Sequence, residues 1–264
     1  VGVGLMWKKV KKYFEYAYTK VSILGRQKSF QSGNVHLKYI FHRNDESKDL
    51  VIVFSACTRN GVKARYNYMR TLQDIHTNKL FILDDFSPDK RGCYYLGEYP
   101  DFEVESAVTE LIQWVCGKIS PRKIVMCGSS KGGYAALNFG MENYQIPVTM
   151  IVGAPQYHLG EYLKSFPVLF PYIKGVHEAD EVISELNVHL ANKLSETDGA
   201  KKEVYMHYSY KEHTYQEHVA DFIADLRKLG IRMYMDERDY EAHSSISLYF
   251  PDYLKTTLRK VLES

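Results

Sequence analysis

A strand, a glycine–serine turn and a helix follow one another without a break at Val125-Met126-Cys127-Gly128-Ser129-Ser130-Lys131-Gly132-Gly133-Tyr134-Ala135-Ala136-Leu137. The apolar residues before Gly128 read as a buried strand, and Ala135-Ala136-Leu137 reads as a helix. Between them stands Gly-x-Ser-x-Gly. So sharp a turn forces Ser130 into strained backbone angles, and glycines two before and two after it let strand and helix pack closely. The Ser130 hydroxyl is then held above the sheet edge, with the Lys131 amide facing the same point. This layout is a nucleophile elbow. It predicts a serine that attacks a carbonyl.

The rest of the chain alternates strands with helices. Val35 to Phe41 alternates in polarity and is followed by a turn at Asn44-Asp45-Glu46-Ser47. Leu50 to Ser55 and Lys79 to Asp84 are continuous apolar runs, as strands buried on both faces require. A crossover helix is expected between them, over Tyr66 to Leu72. Val104, Ala107, Val108, Leu111, Ile112 and Val115 fall on one stripe of a helix over Glu103 to Lys118. Further strands are expected at Lys123 to Cys127, Val148 to Val152, Glu203 to Ser209 and Ile231 to Met235. The last two flank a helix marked by Val219, Phe222, Ile223, Leu226 and Leu229 and closed by Gly230. A final helix covers Ser245 to Leu262. The pattern predicts a doubly wound, mainly parallel sheet of the α/β-hydrolase type. The 264 residues, with a formal charge of +2, suit one domain over 1–264. Residues 157–202 are too long for a loop and read as a helical cap over the site.

A serine at an elbow needs a base, and the base needs an acid; in this fold they follow in the order serine, acid, histidine. Of the ten histidines, His243 stands just before the last helix, where the base belongs. His213 is its rival. Glu212 lies just past a strand end and is the expected acid, with Asp236 and Asp239 as alternatives. The oxyanion hole should combine the Lys131 amide with that of Ala56 or Cys57, from the loop after the first buried strand. The Lys131 side chain either meets an anionic substrate or packs its stem at the helix start.

Other chemistries lack their motifs. There is no His-Glu-x-x-His, no Walker loop and no dinucleotide-binding glycine motif after a strand, so no metal is expected. Cys57, Cys93, Cys116 and Cys127 have no paired spacing and read as free thiols in a reducing compartment. Neither a membrane-crossing run nor a signal-peptide core is visible, which makes the cytoplasm the expected location. A basic amphipathic helix is expected over residues 6–20. Its Lys8, Lys9, Lys11 and Lys12 could bring the protein to the inner face of the membrane. Basic clusters of that density occur nowhere else, so nucleic acid is not an expected partner.

Several short motifs stand in a fixed order: Phe54-Ser55-Ala56, Tyr66-Asn67-Tyr68, Arg91-Gly92-Cys93-Tyr94-Tyr95, Gly128-Ser129-Ser130-Lys131-Gly132-Gly133 and Ala154-Pro155-Gln156. This string resembles the α/β-hydrolase-fold polysaccharide O-acetyltransferases of bacterial capsules. It covers Val51 to Gln156 well and the Glu212 and His243 regions more loosely. The resemblance implies transfer of acetyl from acetyl-CoA to a sugar hydroxyl of a surface polysaccharide. It places the serine on Ser130 and the histidine on His243. The family's acid, an aspartate, falls near Glu212, which is a departure. Similar elbows occur in a glycan-modifying subunit of accessory secretion systems. The 22 tyrosines suggest stacking on sugar rings, with Tyr66, Tyr68, Tyr94 and Tyr95 nearest the motifs. Arg59, Arg65, Arg70 and Arg91 are expected to meet phosphates, and Gln156 to meet substrate. Two other readings stay open: a serine esterase or carbohydrate deacetylase, and a non-catalytic subunit of a glycan-modifying or secretion complex. The oligomeric state is left open.

Overall fold

Five of the strands are buried at all or all but one of their positions, so they are covered on both faces. The structure, a computed structural model, describes residues 2–264, without the side chains of 2–9, 11, 12 and 16. Its centre is an eight-stranded sheet in the order β1-β2-β4-β3-β5-β6-β7-β8. The strands are β1 (Lys28–Ser32), β2 (Val35–His42), β3 (Asp49–Phe54), β4 (Asn78–Leu83), β5 (Lys123–Ser129), β6 (Val148–Gly153), β7 (Lys202–Ser209) and β8 (Arg232–Arg238). β2 runs antiparallel to both β1 and β4, and the other pairs are parallel.

Alternate residues of each central strand feed two separate cores. Ile52, Phe54, Met126, Met150 and Val204 pack under α2 (Glu103–Ile119), α3 (Lys131–Gly140), α6 (Ala179–Ser195) and α7 (Ala220–Lys228). Val51, Val53, Val125, Cys127 and Ile151 pack under α8 (Ile246–Glu263) and the chain between β3 and β4. α1 (Gly2–Ile23) lies along that second face, where Tyr18 and Ile23 join the core. It covers the expected basic helix; the side chains of Lys8, Lys9, Lys11 and Lys12 lie outside the described residues.

Two expectations need correction. Tyr66 to Leu72 does not form a helix. Tyr68 takes φ 61°, a left-handed conformation that a helix cannot contain. Side chains satisfy the backbone there instead. Lys79 Nζ donates to the Leu72 and Ile75 carbonyls at 2.9 and 2.6 Å, and Glu15 accepts the Arg70 and Thr71 amides at 2.9 and 3.1 Å. Residues 157–202 are helical, as expected, but they are not one lid. α6 runs as the crossover helix from β6 to β7. Its Leu186 and Leu190 are buried in the main core, and its His189 and Lys193 reach Glu105 on α2. The two short helices, α4 (Leu159–Lys164) and α5 (Leu169–Lys174), pack into the same core through Leu159, Leu163, Leu169, Phe170 and Ile173.

Candidate active site

β5 ends and α3 begins within one residue, and that residue is Ser130. Its φ of 51° and ψ of −123° lie outside the regions that non-glycine residues prefer. Close packing of the flanking elements enforces this geometry. A Cβ on Gly128 would sit 2.3 Å from the Gly132 carbonyl oxygen, and one on Gly132 would sit 2.7 Å from that of Phe54. The Ser130 amide is tied to the Gly153 carbonyl at 2.8 Å, which joins the elbow to β6.

The serine, the histidine and the glutamate form a hydrogen-bonded chain. Ser130 Oγ donates to His243 Nε2 at 2.9 Å, and His243 Nδ1 donates to Glu212 Oε1 at 2.5 Å. Each comes from a different element. His243 opens a short turn, His243–Ser245, that leads into α8. Glu212 follows β7. Ser209 fastens the two loops together: its hydroxyl donates to the Tyr240 carbonyl at 2.7 Å and accepts the Tyr240 amide at 3.1 Å.

The Glu212 carboxylate is wholly buried, and Thr214 Oγ1 donates to its second oxygen at 2.6 Å. Burial alone would raise its pKa. The bond and charge of His243, then Thr214 and His213, outweigh burial and hold the carboxyl below its usual range. Glu212 is therefore an anion at neutral pH, suited to orient the imidazole and stabilise its protonated form. The alternatives have other partners. Asp236 pairs with His207 at 2.6 Å and with Arg238 at 2.8 Å, and Asp239 pairs with Lys211 at 2.5 Å. His213 is half exposed and lies 3.8 Å from the same glutamate, beside the chain rather than in it.

Around Ser130 the expected oxyanion donors separate. Lys131 begins α3, where the helix itself offers its amide no acceptor. The Ala56 amide already donates to Asn67 Oδ1 at 2.9 Å, a correction that leaves Cys57 as the candidate from that loop. The Lys131 side chain does not reach substrate. It is fully buried, with Nζ 2.9 Å from Asp84 Oδ2 and 3.0 Å from the Arg91 carbonyl. Asp84 in turn accepts the amides of Cys93 and Tyr95 at 2.8 and 3.1 Å. The buried pair thus holds a loop in which Gly92, Tyr94 and Tyr95 all have positive φ.

That loop corrects the expected sugar-stacking surface. Tyr66, Tyr94 and Tyr95 are buried, and so is Tyr68. The Tyr95 hydroxyl donates to the Ile82 carbonyl at 2.9 Å and accepts the Ser55 amide at 2.6 Å. Tyr66 donates to Gln27 at 3.2 Å, and Tyr68 meets the Ser129 hydroxyl at 2.6 Å. These rings build the site and present no face to a sugar. Arg91 is also committed, donating to the Thr58 carbonyl at 2.8 Å and to Asn60 at 2.5 Å. Arg59 is exposed.

Gln156 is wholly buried with its Nε2 3.5 Å from Ser130 Oγ, while its Oε1 has no donor within the described residues. Of the residues expected to meet substrate, it is the one that lies beside the serine hydroxyl. Sequence reasoning missed the neighbours on the other side. Tyr162 of α4 lies edge-on to Tyr94 and to His218, with ring centroids 6.3 and 5.4 Å apart. Burial, helped by the charges of His158, His213 and His243, pushes the His218 pKa down to about 4, so it stays neutral. A cavity of about 740 Å³, lined by Asn34, Tyr99, Glu103, Glu110 and His177 among others, includes none of the residues of this site. No group of metal-binding side chains occurs among the described residues, and all four cysteines are free.

No family model matches the chain, and no curated protein sequence does. Solved structures do match. The capsule O-acetyltransferase of Neisseria meningitidis serogroup A is 22% identical, with a TM-score of 0.73 over 88% of this chain and 94% of that one. A mutant of that enzyme solved in complex with CoA matches with a TM-score of 0.75 at 21% identity, over 89% of this chain and 96% of that one. A chain of a glycosylation-associated protein complex from Streptococcus agalactiae gives 0.72 at 16% identity, over 90% of this chain and 46% of that one. A fluorophosphonate-binding serine hydrolase of Staphylococcus aureus gives 0.64 at 13% identity, over 89% and 97%. At these identities the likeness establishes the fold: the chain has the α/β-hydrolase fold.

Proposed function

We propose that this α/β-hydrolase-fold chain is a serine O-acetyltransferase. On this reading it moves acetyl from acetyl-CoA to a hydroxyl of a bacterial surface polysaccharide, through an acetyl group on Ser130. The observation that carries the reading is the connected chain Ser130–His243–Glu212 at a strained elbow. The match to a capsule O-acetyltransferase, and to its mutant in complex with CoA, supports the choice of donor and acceptor.

Acetyl-CoA supplies a thioester when bound. The residues present fit such a substrate in two respects. The buried Gln156 Oε1 beside Ser130 lacks a donor that a substrate amide or hydroxyl could provide, and Arg59 is exposed on the neighbouring loop for a phosphate. In the first half-reaction Ser130 Oγ attacks the acetyl carbonyl carbon while His243 Nε2 takes its proton. The Lys131 and Cys57 amides hold the negative charge that develops on the carbonyl oxygen. Glu212 holds the imidazole in the tautomer that accepts at Nε2, and stabilises the imidazolium. His243 then returns the proton to the departing sulfur, which leaves acetyl-Ser130. In the second half-reaction His243 takes the proton of the sugar hydroxyl as that oxygen attacks the acetyl carbon. Collapse restores Ser130, which regains a proton from His243.

Transfer requires a sugar hydroxyl to outcompete water, and so an acceptor site that positions it. With the buried tyrosines removed from that role, half-buried Tyr162 and half-exposed His213 are the aromatic faces left to line it. Hydrolysis is the second reading, and the shared fold with a serine hydrolase favours it. A non-catalytic role gives no reason for the hydrogen-bonded chain at the elbow.

The reading is tested by CoA release from acetyl-CoA with a panel of capsular polysaccharides, comparing wild type with Ser130→Ala. Release that depends on one polymer and falls at least about 10⁴-fold in the variant is the expected result. Ser130-dependent cleavage of a simple acetyl ester, with CoA release that no polymer stimulates, would replace transfer by hydrolysis.

A further inference from the structure

Two buried side chains of this region each keep one polar atom without a partner, and a neighbouring bond fixes which atom it is. Ser130 Oγ has one proton, which goes to His243 Nε2. The end of the Gln156 amide that faces Oγ at 3.5 Å is therefore the Nε2 donor, and Oε1 is the end left over. The His158 amide donates to His218 Nδ1 at 3.3 Å. A neutral ring that accepts at Nδ1 carries its proton on Nε2. That N–H has no hydrogen-bond partner among the described residues, since Glu217 Oε2, 4.0 Å away, is beyond reach. Gln156 and His218 are 0% and 3% exposed. Buried groups of this kind are costly to leave unpaired, so a ligand that pairs them is favoured.

One short stretch after β6 carries the acceptor and anchors the donor. Gln156 lies two residues before His158, whose own ring is taken up by the Asn187 carbonyl at 3.3 Å and by Asp221 at 3.0 Å. His218 rides on a single π-helical turn, Tyr215–Val219, that leads into α7, and turns this wide occur frequently at functional sites. Its ring stands edge-on to Tyr162 of α4, and the charges of Glu212, His213 and His243 bear on it. The acetyl group has neither an N–H nor an O–H to offer Gln156. Once the leaving group has gone, the pair is free for the molecule that receives the acetyl group. A fixed donor and a fixed acceptor suit a ligand with several hydroxyl groups, since each hydroxyl both gives and accepts a hydrogen bond. A simple alcohol has a single hydroxyl, and attack uses it.

Given the proposed acetyl-Ser130, on which this rests, we propose that His218 and Gln156 select a polyhydroxylated ring as the acetyl acceptor. His218 Nε2 donates to one of its oxygens, Gln156 Oε1 accepts from one of its hydroxyls, and a further hydroxyl attacks. In that step the attacking oxygen bonds to the acetyl carbon and gives its proton to His243, and Ser130 Oγ leaves and takes the proton back. The test supplies the full chain with p-nitrophenyl acetate and lets the methyl pyranosides of glucose, galactose and mannose, or cyclohexanol, compete with water for the acetyl group. New acetyl ester and free acetate are measured. Their ratio compares two fates of one acetyl-enzyme, so unfolded protein does not affect it. Wild type should transfer to at least one pyranoside about tenfold or more better than to cyclohexanol at equal concentration. His218→Phe keeps a ring and removes the N–H; it should lower the pyranoside ratio about tenfold and spare the cyclohexanol ratio. His218→Gln, which keeps a donor, should recover most of the loss, and Gln156→Leu should lower the pyranoside ratio likewise. No preference for a pyranoside in wild type, an undiminished pyranoside ratio in His218→Phe or Gln156→Leu, or an equal fall for cyclohexanol in His218→Phe would overturn the proposal. Nitrophenol release as fast in Ser130→Ala as in wild type would remove the acetyl-serine itself, and this selection with it.

Discussion

At the residue scale the site depends on one buried carboxylate. Glu212 is wholly buried, with one oxygen on His243 and the other on Thr214, so it has no freedom to turn away. Glu212→Gln keeps the shape and removes the charge that stabilises the imidazolium. It should lower kcat by about 10³- to 10⁴-fold with little change in KM, as expected for a group that acts mainly in the transition state. A loss confined to KM would remove Glu212 from this role. Ser130 was legible in the sequence because its turn needs glycines at fixed spacing, and His243 because it precedes the last helix. The acid was legible only as a choice among Glu212, Asp236 and Asp239, since all three fall near strand ends. What separates them is the set of partners waiting there: His207 and Arg238 for Asp236, and Lys211 for Asp239. The misread tyrosines have a similar cause. Tyr95 and Tyr66 carry the same apolar face and polar tip whether they stack on a sugar or bond inside a core.

At the element scale, α6 is locked to the helices beneath it by a buried polar cluster. Glu105 of α2 accepts from Asn138 of α3 at 2.8 Å and from His189 of α6 at 3.0 Å, and it also pairs with Lys193. Burial alone would raise its pKa; the bond and charge of His189, with Lys193, reverse this and hold it at about 2. A carboxyl held below its unfolded value stabilises the fold above that value. Here the contribution, about 3 kcal/mol, is complete above pH 4.5 and is lost as pH falls through about 2. Glu105→Gln should cost about 3 kcal/mol at neutral pH, measured by denaturant unfolding, because it leaves two half-buried bases without their counter-charge. The variant should also lose stability less steeply than wild type below pH 4.5. Equal slopes would contradict this account. Hydrophobic periodicity made α2 and the central strands legible. It could not reveal β1, a short and mostly exposed hairpin strand whose signal was the turn at Gly33-Asn34. It also could not show that Lys79 and Glu15 replace a helix over Tyr66 to Leu72, because side chains from distant positions do that work.

At the scale of the molecule, the parallel strands β3, β5, β6 and β7 bring their carboxyl ends to one edge, and the site assembles there from the loops that follow. Residues far apart in sequence thereby meet within hydrogen-bond distance, as Ser130 and His243 do across 113 positions. The alternation of strands and helices made this architecture legible. The proposed acceptor site was not, because it depends on how α4 and the loop after β7 sit beside Ser130. The central claim is that Ser130 carries the acetyl group between donor and acceptor. It is tested most directly by mixing the protein with acetyl-CoA and no acceptor, quenching in acid, and mapping the acetyl adduct by intact and peptide mass spectrometry. The account predicts one acetyl group on Ser130, absent in Ser130→Ala and discharged when the true acceptor is added. CoA release with no acetyl on Ser130, or with the adduct on Cys57 instead, would contradict it.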